Sequence, residues 1–256
     1  MTFKFVSVLF LGVVILISII DILFSVHFLF YVLAAVIYFI YVGIKSSQIA
    51  SGFHLKTICN APTNEKIISI TFDDGPNEEI TPEVLKVLAD HDVKATFFCI
   101  GKNIKDNETL LIRMKREGHL IGNHTFSHAF WFDFYPPGTV KRELDKTNET
   151  IRRIIDKTPR FFRPPYGVTN PAINKAIKKS DFDVIGWNVR SLDTVIKDEA
   201  KILKRITENL KGGDIVLFHD TNNRIIEVLK SFLKYTSENG FKIVGLDELV
   251  KKSPYA

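Results

Sequence analysis

The 256-residue chain has little cysteine, with two in all, and Cys59 and Cys99 do not form a CxxC pair. A disulfide framework and a thiolate metal knuckle are therefore excluded, and Cys99, inside the apolar run Ala95–Ile100, reads as a buried thiol. Glycine and proline, 14 and 10 residues, are too few for collagen-like or disordered classes, and there is no internal repeat or low-complexity tract. Charge of one sign is also scarce in excess: 34 Lys and Arg face 29 Asp and Glu, a net of +5. The basic residues are scattered and carry no recognition motif, so nucleic-acid binding is not expected. The sharpest absence is local. Phe5–Ile44 contains no Lys, Arg or Glu and a single Asp.

As one helix, that 40-residue stretch would be roughly 60 Å long, twice a hydrocarbon core of about 30 Å. The polar interruption from Asp21 through Ser25 to His27 marks a fold-back, leaving Phe5–Ile20 and Phe28–Ile44 as two spans of a helical hairpin. The other readings are a cleaved signal followed by one span, or a tilted span with a re-entrant piece. The apolar stretch is too long for a signal-peptide core, and no small-x-small cleavage site follows it closely. A hairpin places Lys4, Lys45 and Lys56 on one side, and by the positive-inside count that side is cytoplasmic. The domain plan expected is a membrane segment over 1–45, a linker over 46–65 and one soluble domain over 66–251.

Beyond Lys45 the composition is that of a globular domain, and short apolar runs alternate with helix-period stretches. This is the βα pattern of a parallel sheet. The strands read from it are Ile67–Phe72, Ala95–Ile100, Leu120–Asn123, Arg160–Arg163, Phe182–Trp187, Asp214–Phe218 and Phe241–Val244. Thr81 before Pro82 reads as a helix N-cap, and Gly118 as the residue that closes the helix over Glu108–Glu117. Apolar spacing of three and four marks Thr139–Lys157 and Ala200–Leu210 as helices with one face on the sheet. Seven βα units favour a closed or nearly closed barrel over an open doubly wound sheet.

The chemistry-bearing residues fall at strand ends. Asp73 and Asp74 follow the first strand, where barrel enzymes place catalytic groups, although Asp-Asp-Gly-Pro is also ordinary turn composition. His124 and His128 are four apart after the third strand, and in a helix or tight turn two such imidazoles converge on one metal ion. With a carboxylate from another strand end they make a His₂Asp set with open positions for water and substrate. Arg163 closes the fourth strand before two prolines and Tyr166, and its guanidinium can fix a carboxylate bidentately. His219, directly after Phe218, is placed to act as a general acid, with Asp193 to orient it. His27, His54, His91 and His119 lack such company and read as structural or solvated; Asp220 is left without a role.

On TFDDG at Thr71–Gly75, HTFSH at His124–His128, RPPYG at Arg163–Gly167, the segment Trp187–Asp193 and IVLFHD at Ile215–Asp220, the chain from Lys66 to Lys251 resembles the NodB-type polysaccharide deacetylases, carbohydrate esterase family 4. The resemblance implies an α/β fold, a distorted (β/α)7 barrel behind the transmembrane hairpin. It also implies metal-dependent hydrolysis of N- or O-acetyl groups on a glycan containing N-acetylglucosamine. By position, Asp73 would be the base, Asp74, His124 and His128 the ligands of a divalent ion, usually zinc, and Arg163 the holder of Asp73. His219 would be the acid with Asp193 behind it, the Tyr166 N–H an oxyanion donor, Leu217 the wall of the acetyl pocket, and Trp187 part of the substrate site. The family places its domain outside the cytoplasm at the cell membrane, against the lysine count. Arg190 and Thr194 stand where many members carry Asp and Trp, which alters the substrate groove. Two alternatives remain: a deformylase or deacetylase of a lipid-linked amino sugar, and an inactive membrane-anchored glycan-binding module. The sequence sets no oligomeric state.

Overall fold

The computed structural model describes residues 1–178 and 180–256. Two apolar helices come first, α1 (Phe3–Phe24) and α2 (Leu29–Ser46). Their 22 and 18 residues correspond to roughly 33 and 27 Å, so each is long enough to be a candidate span. They pair as a hairpin, with Ser7 and Tyr38 hydroxyls 2.9 Å apart and the Tyr38 ring stacked on Phe10. The turn is tighter than the polar interruption suggests. Helix α1 continues through Asp21 to Phe24 and stops at Ser25, whose left-handed backbone returns its N–H to the Asp21 carbonyl.

The remaining strands are β1 (Ile67–Asp73), β2 (Thr96–Cys99), β3 (Leu120–Asn123), β4 (Phe161–Phe162), β5 (Asp183–Val184), β6 (Val189–Arg190), β7 (Ile215–His219) and β8 (Lys242–Ile243). All pairings are parallel, in the order β5-β4-β3-β2-β1-β7-β6 with β8 on the lower part of β1. The sheet curls into a distorted barrel, and its packing is the distorted (β/α)7 arrangement. The single fifth strand expected over Phe182–Trp187 is divided. Its first half pairs with β4, and after Gly186 the chain crosses to pair with β7 as β6. A crossing of the chain therefore spans the gap between the two sheet edges, where a closed barrel would have a continuous ladder.

The helices are α3 (Ile80–Asp90), α4 (Gly101–Ile104), α5 (Glu108–Arg116), α6 (Pro137–Ile155), α7 (Pro171–Ile177), α8 (Glu199–Thr207), α9 (Arg224–Glu238) and α10 (Leu246–Val250). The outward side chains of the central strands, among them Phe72, Phe97 and Phe218, form one apolar core with the inner faces of α3, α5, α6, α8 and α9. Burying one such side chain contributes roughly 2 kcal/mol. Thr81 is not the α3 N-cap. The helix begins at Ile80, the Asn77 side chain accepts the Glu79 and Ile80 N–H groups, and the Thr81 hydroxyl is directed to Asp220. Period-two alternation turns Thr71, Asp73, Leu217 and His219 the other way, into the barrel mouth.

Residues 46–65 lie packed along the domain. Ile58 bridges to Ile185 and Asn60 to Asp214, and Ile49 and Phe53 are buried. The hairpin ends are bonded to this layer and to the domain: the Phe3 N–H donates to the Phe53 carbonyl of the layer, and the Thr169 N–H, just before α7, to the Ser46 carbonyl, each at 2.9 Å.

Candidate active site

At the C-terminal end of β1 the backbone turns sharply, with Asp74 at φ 75°. A side chain at Gly75 would run into the buried Asp220 carboxylate, so this close approach favours glycine. Asp73 points into the barrel and Asp74 toward the mouth, where the Asn103 side chain donates to its carbonyl. The HTFSH segment is a tight turn, not a helix: Thr125 and His128 both have positive φ. Glu143, from α6, accepts from the Phe126 and Ser127 N–H groups and from the Ser127 hydroxyl, and so holds that turn.

These two turns bring Asp74, His124 and His128 together, with both imidazole Nε2 atoms 3.4 Å from Asp74 Oδ1. Zinc bonds of about 2.0–2.1 Å in a tetrahedral arrangement separate their donors by roughly 3.3 Å. The two-imidazole, one-carboxylate set therefore fits a divalent transition ion in donor type and spacing, and it is the one such group among the described residues. The His124 Nδ1–H donates to the Arg163 carbonyl at 2.7 Å, which leaves the Nε2 lone pair facing Asp74.

Arg163 is wholly buried. Its Nη1 donates to both Asp73 Oδ1 and the Thr71 hydroxyl at 2.8 Å, while Nε and Nη2 donate to the Ile185 and Gly186 carbonyls. The guanidinium thus holds Asp73 through a single nitrogen, not the bidentate fork that the residue type allows, because the crossing between β5 and β6 presents carbonyls to the rest of it. Trp187 leans on this group, its ring 5.5 Å from the guanidinium carbon, and packs over Gly167. Arg190 lies against the same ring at 5.7 Å and is exposed at the rim.

On the other side of the mouth, Asp193 is clamped to His219 twice. Its Oδ1 accepts from Nδ1–H at 2.7 Å and its Oδ2 from the His219 backbone N–H at 2.8 Å. Leu217, two residues earlier in β7, is buried below. Tyr166 sits at φ 57°, with its ring 5.0 Å from that of His128. Beyond His128 the chain presents Phe130, Trp131 and Phe134 to solvent, stacked edge to face. Asp220, given no role by the sequence, is buried behind Gly75, and burial raises its pKa to about 7 against the Thr81 hydroxyl hydrogen bond.

The titrating groups are driven apart. Burial opposes charge on Asp74, but the hydrogen bond and charge of His124, with smaller contributions from His219 and His128, hold it well below the usual carboxylate range. Burial would lower His124 also, yet Asp73 and Asp74 raise it, whereas burial and the His124 charge bring His128 down to about 4. A metal ion therefore competes with a proton mainly at His124. Burial works against protonated His219, and the Asp193 hydrogen bond and charge outweigh it, so its pKa lies above 6.5.

Asp73, Asp74, His124, His128, Arg163, Tyr166 and Trp187 are linked by the contacts above, and β1–β7 register sets His219, with Asp193 behind it and Leu217 below, beside Asp73. Three residues that position the site were missed. Thr71 carried a signal, since it shares a strand face with Asp73. Glu143 and Asn103 carried none, being helix residues whose partners are distant in sequence.

The polysaccharide deacetylase family model matches residues 60–185. A peptidoglycan-N-acetylglucosamine deacetylase of Bacillus cereus is 34% identical over 74% of this chain and 91% of its own length. A crystal structure of a peptidoglycan N-acetylglucosamine deacetylase bound to a naphthyl N-hydroxybenzamide superposes with a TM-score of 0.73 at 29% identity, covering 77% of this chain and 94% of that one. A pseudoenzyme of carbohydrate esterase family 4 from Bacillus anthracis matches at TM-score 0.70 and 27% identity, over 76% of this chain and 68% of its own. The chain belongs to the polysaccharide deacetylases of carbohydrate esterase family 4, hydrolases that act on amide bonds of sugars.

Proposed function

We propose that this protein is a membrane-anchored, metal-dependent deacetylase that removes N-acetyl groups from N-acetylglucosamine-containing glycan of the peptidoglycan type. The observation that carries the reading is the convergence on one rim of three elements: the Asp74–His124–His128 donor set, the Arg163–Asp73 pair and the Asp193–His219 pair. An amide carbonyl is a weak electrophile and an amine a poor leaving group, so hydrolysis needs polarisation, an activated water and a proton donor. Asp74, His124 and His128 would hold a divalent ion, zinc or another transition ion, which would supply Lewis-acid polarisation and a more acidic water. Asp73, oriented by Arg163, accepts the proton of the attacking water. His219, held protonated by Asp193, gives its Nε2 proton to the departing nitrogen. The Tyr166 N–H faces the developing oxyanion, Leu217 lines the acetyl pocket, and Trp187 walls the groove. Complete acid and base pairs favour catalysis over a solely glycan-binding role.

Metal content of the detergent-solubilised full chain, with acetate release from acetylated chito-oligosaccharides and peptidoglycan, tests the reading. Metal near one per chain with acetate release, both lost in His128→Ala, supports it; a chain that takes up no metal under any loading sinks it.

Thr169 is bonded to Ser46 and lies three residues from Tyr166, so Tyr166 lies within roughly 14 Å of the end of α2. This closeness supports a domain held at the membrane by the hairpin and favours a second substrate reading, a lipid-linked amino sugar carrying an acetyl or formyl group, whereas the peptidoglycan substrate of the relatives is what supports a domain outside the cytoplasm. Protease protection of a C-terminal tag in intact cells checks the side. Release of formate or acetate from a polyprenyl-linked sugar, compared with a soluble oligomer, separates the substrates.

A further inference from the structure

Where the hairpin meets the catalytic domain there is a cleft of about 1030 Å³ that has no part in the chemistry above. It opens beside Thr2 and Phe3, where α1 begins, and it is bounded by Gly52–Lys56 and the outer side of α7. Four lysines line it: Lys4, Lys56, Lys175 and Lys178. Among the described residues no Asp or Glu lines it, and none of the four lysines makes an ion pair. Phe3, Phe53, Leu55 and Pro171 supply an apolar wall beside the cations.

We propose that this cleft binds the phosphate headgroup of an anionic diacyl phospholipid of the surrounding bilayer. The proposal rests on the reading of α1 and α2 as the membrane anchor. Four ammonium groups around one opening repel one another, and a bound phosphodiester supplies the missing counter-charge through charge-assisted hydrogen bonds. The level is right for a headgroup, since the cleft adjoins Thr2, which caps α1, and Phe53 and His54, which are bonded to Phe3 and Ser46 at the hairpin ends. Lysines just outside a spanning helix meet the charged surface of the bilayer there. The apolar wall then lies against the glycerol and the first acyl carbons. A seated lipid fastens α7, whose Asn174 side chain donates to the His54 carbonyl, to the hairpin, and α7 follows directly on the loop that carries Tyr166.

The test is native mass spectrometry of the full chain in detergent, with phosphatidylglycerol and phosphatidylcholine of identical acyl chains added in parallel, and inorganic phosphate alone as a third arm. Phosphatidylglycerol is expected to be retained at least ten-fold better than phosphatidylcholine. Each Lys→Gln change should weaken it about five-fold, and the Lys56→Gln, Lys175→Gln pair roughly 25-fold. An unchanged thermal unfolding midpoint in the variants shows that they are folded. Equal retention of the two lipids, or a preference that survives substitution of all four lysines, overturns the proposal. Inorganic phosphate binding as tightly as the lipid overturns it in favour of a free phosphate site. Resistance of the chain to alkaline extraction from membranes reads the anchor separately: extraction sinks the anchor, and retention without lipid selectivity sinks the cleft.

Discussion

Asp193→Asn offers the most informative perturbation of the site. The carboxylate is fully buried and accepts both the Nδ1–H and the backbone N–H of His219, at 2.7 and 2.8 Å. Asparagine keeps the shape and one acceptor oxygen but removes the charge. A hydrogen bond to a charged partner contributes about 1.5–3 kcal/mol, and one pKa unit corresponds to about 1.4 kcal/mol, so the His219 pKa should fall by about one to two units. The alkaline limb of kcat/KM, where the acid loses its proton, then moves toward acid by that amount, and activity at pH values above the wild-type limb drops about 10- to 100-fold. That is less than the roughly 10²–10⁴ expected for removal of the acid in His219→Ala. Stability carries the same sign. Because the folded His219 pKa is raised, the pair contributes fully below about pH 6.5 and is lost as pH rises through the folded value. The difference in unfolding free energy between wild type and Asp193→Asn should therefore be largest near pH 5 and shrink in alkali. The assay is the pH dependence of acetate release with parallel chemical denaturation. An alkaline limb that stays in place in Asp193→Asn would refute the assignment of His219 as the acid.

Arg163→Met leaves Asp73 buried without its cation and should destabilise the fold by about 3–5 kcal/mol, seen as a lowered Tm, while Asp73→Asn should remove activity with a smaller stability loss. Chelation should abolish acetate release, with recovery on adding back zinc or another divalent transition ion, and metal affinity should fall as pH drops because His124 holds its proton above pH 6.5. Gly75→Ala forces a methyl group against the Asp220 carboxylate and should cost about 1–3 kcal/mol and displace Asp74, measured as lost metal stoichiometry in a folded protein. Trp131→Ala, at the exposed aromatic ridge beyond His128, should raise KM for long glycans and leave kcat unchanged; an equal fall in kcat would refute a binding role.

Much of the architecture is local information. The 40 residues without basic groups, the alternation of apolar runs with amphipathic stretches, and the polar residue that follows each buried strand are properties of short windows. A strand's C-terminal end is where the chain must turn, so Asp73, His124, Arg163 and His219 could be located on one face before any pairing was known. What sequence windows could not hold is long-range registry. The division of the fifth strand into β5 and β6 depends on β4 and β7 competing for the same stretch of backbone. The single-nitrogen grip of Arg163 on Asp73 depends on the carbonyls which that division exposes. Thr81 is drawn from helix capping to Asp220, and Glu143 to the HTFSH turn, by partners 139 and 16–17 residues away. Propensity and periodicity act over a turn or two of chain, whereas these contacts exist only once the sheet has brought distant segments to hydrogen-bonding distance. The placement of these side chains at strand ends was thus legible in the sequence, and their hydrogen-bond partners and charge balance were decided by the pairing of distant strands.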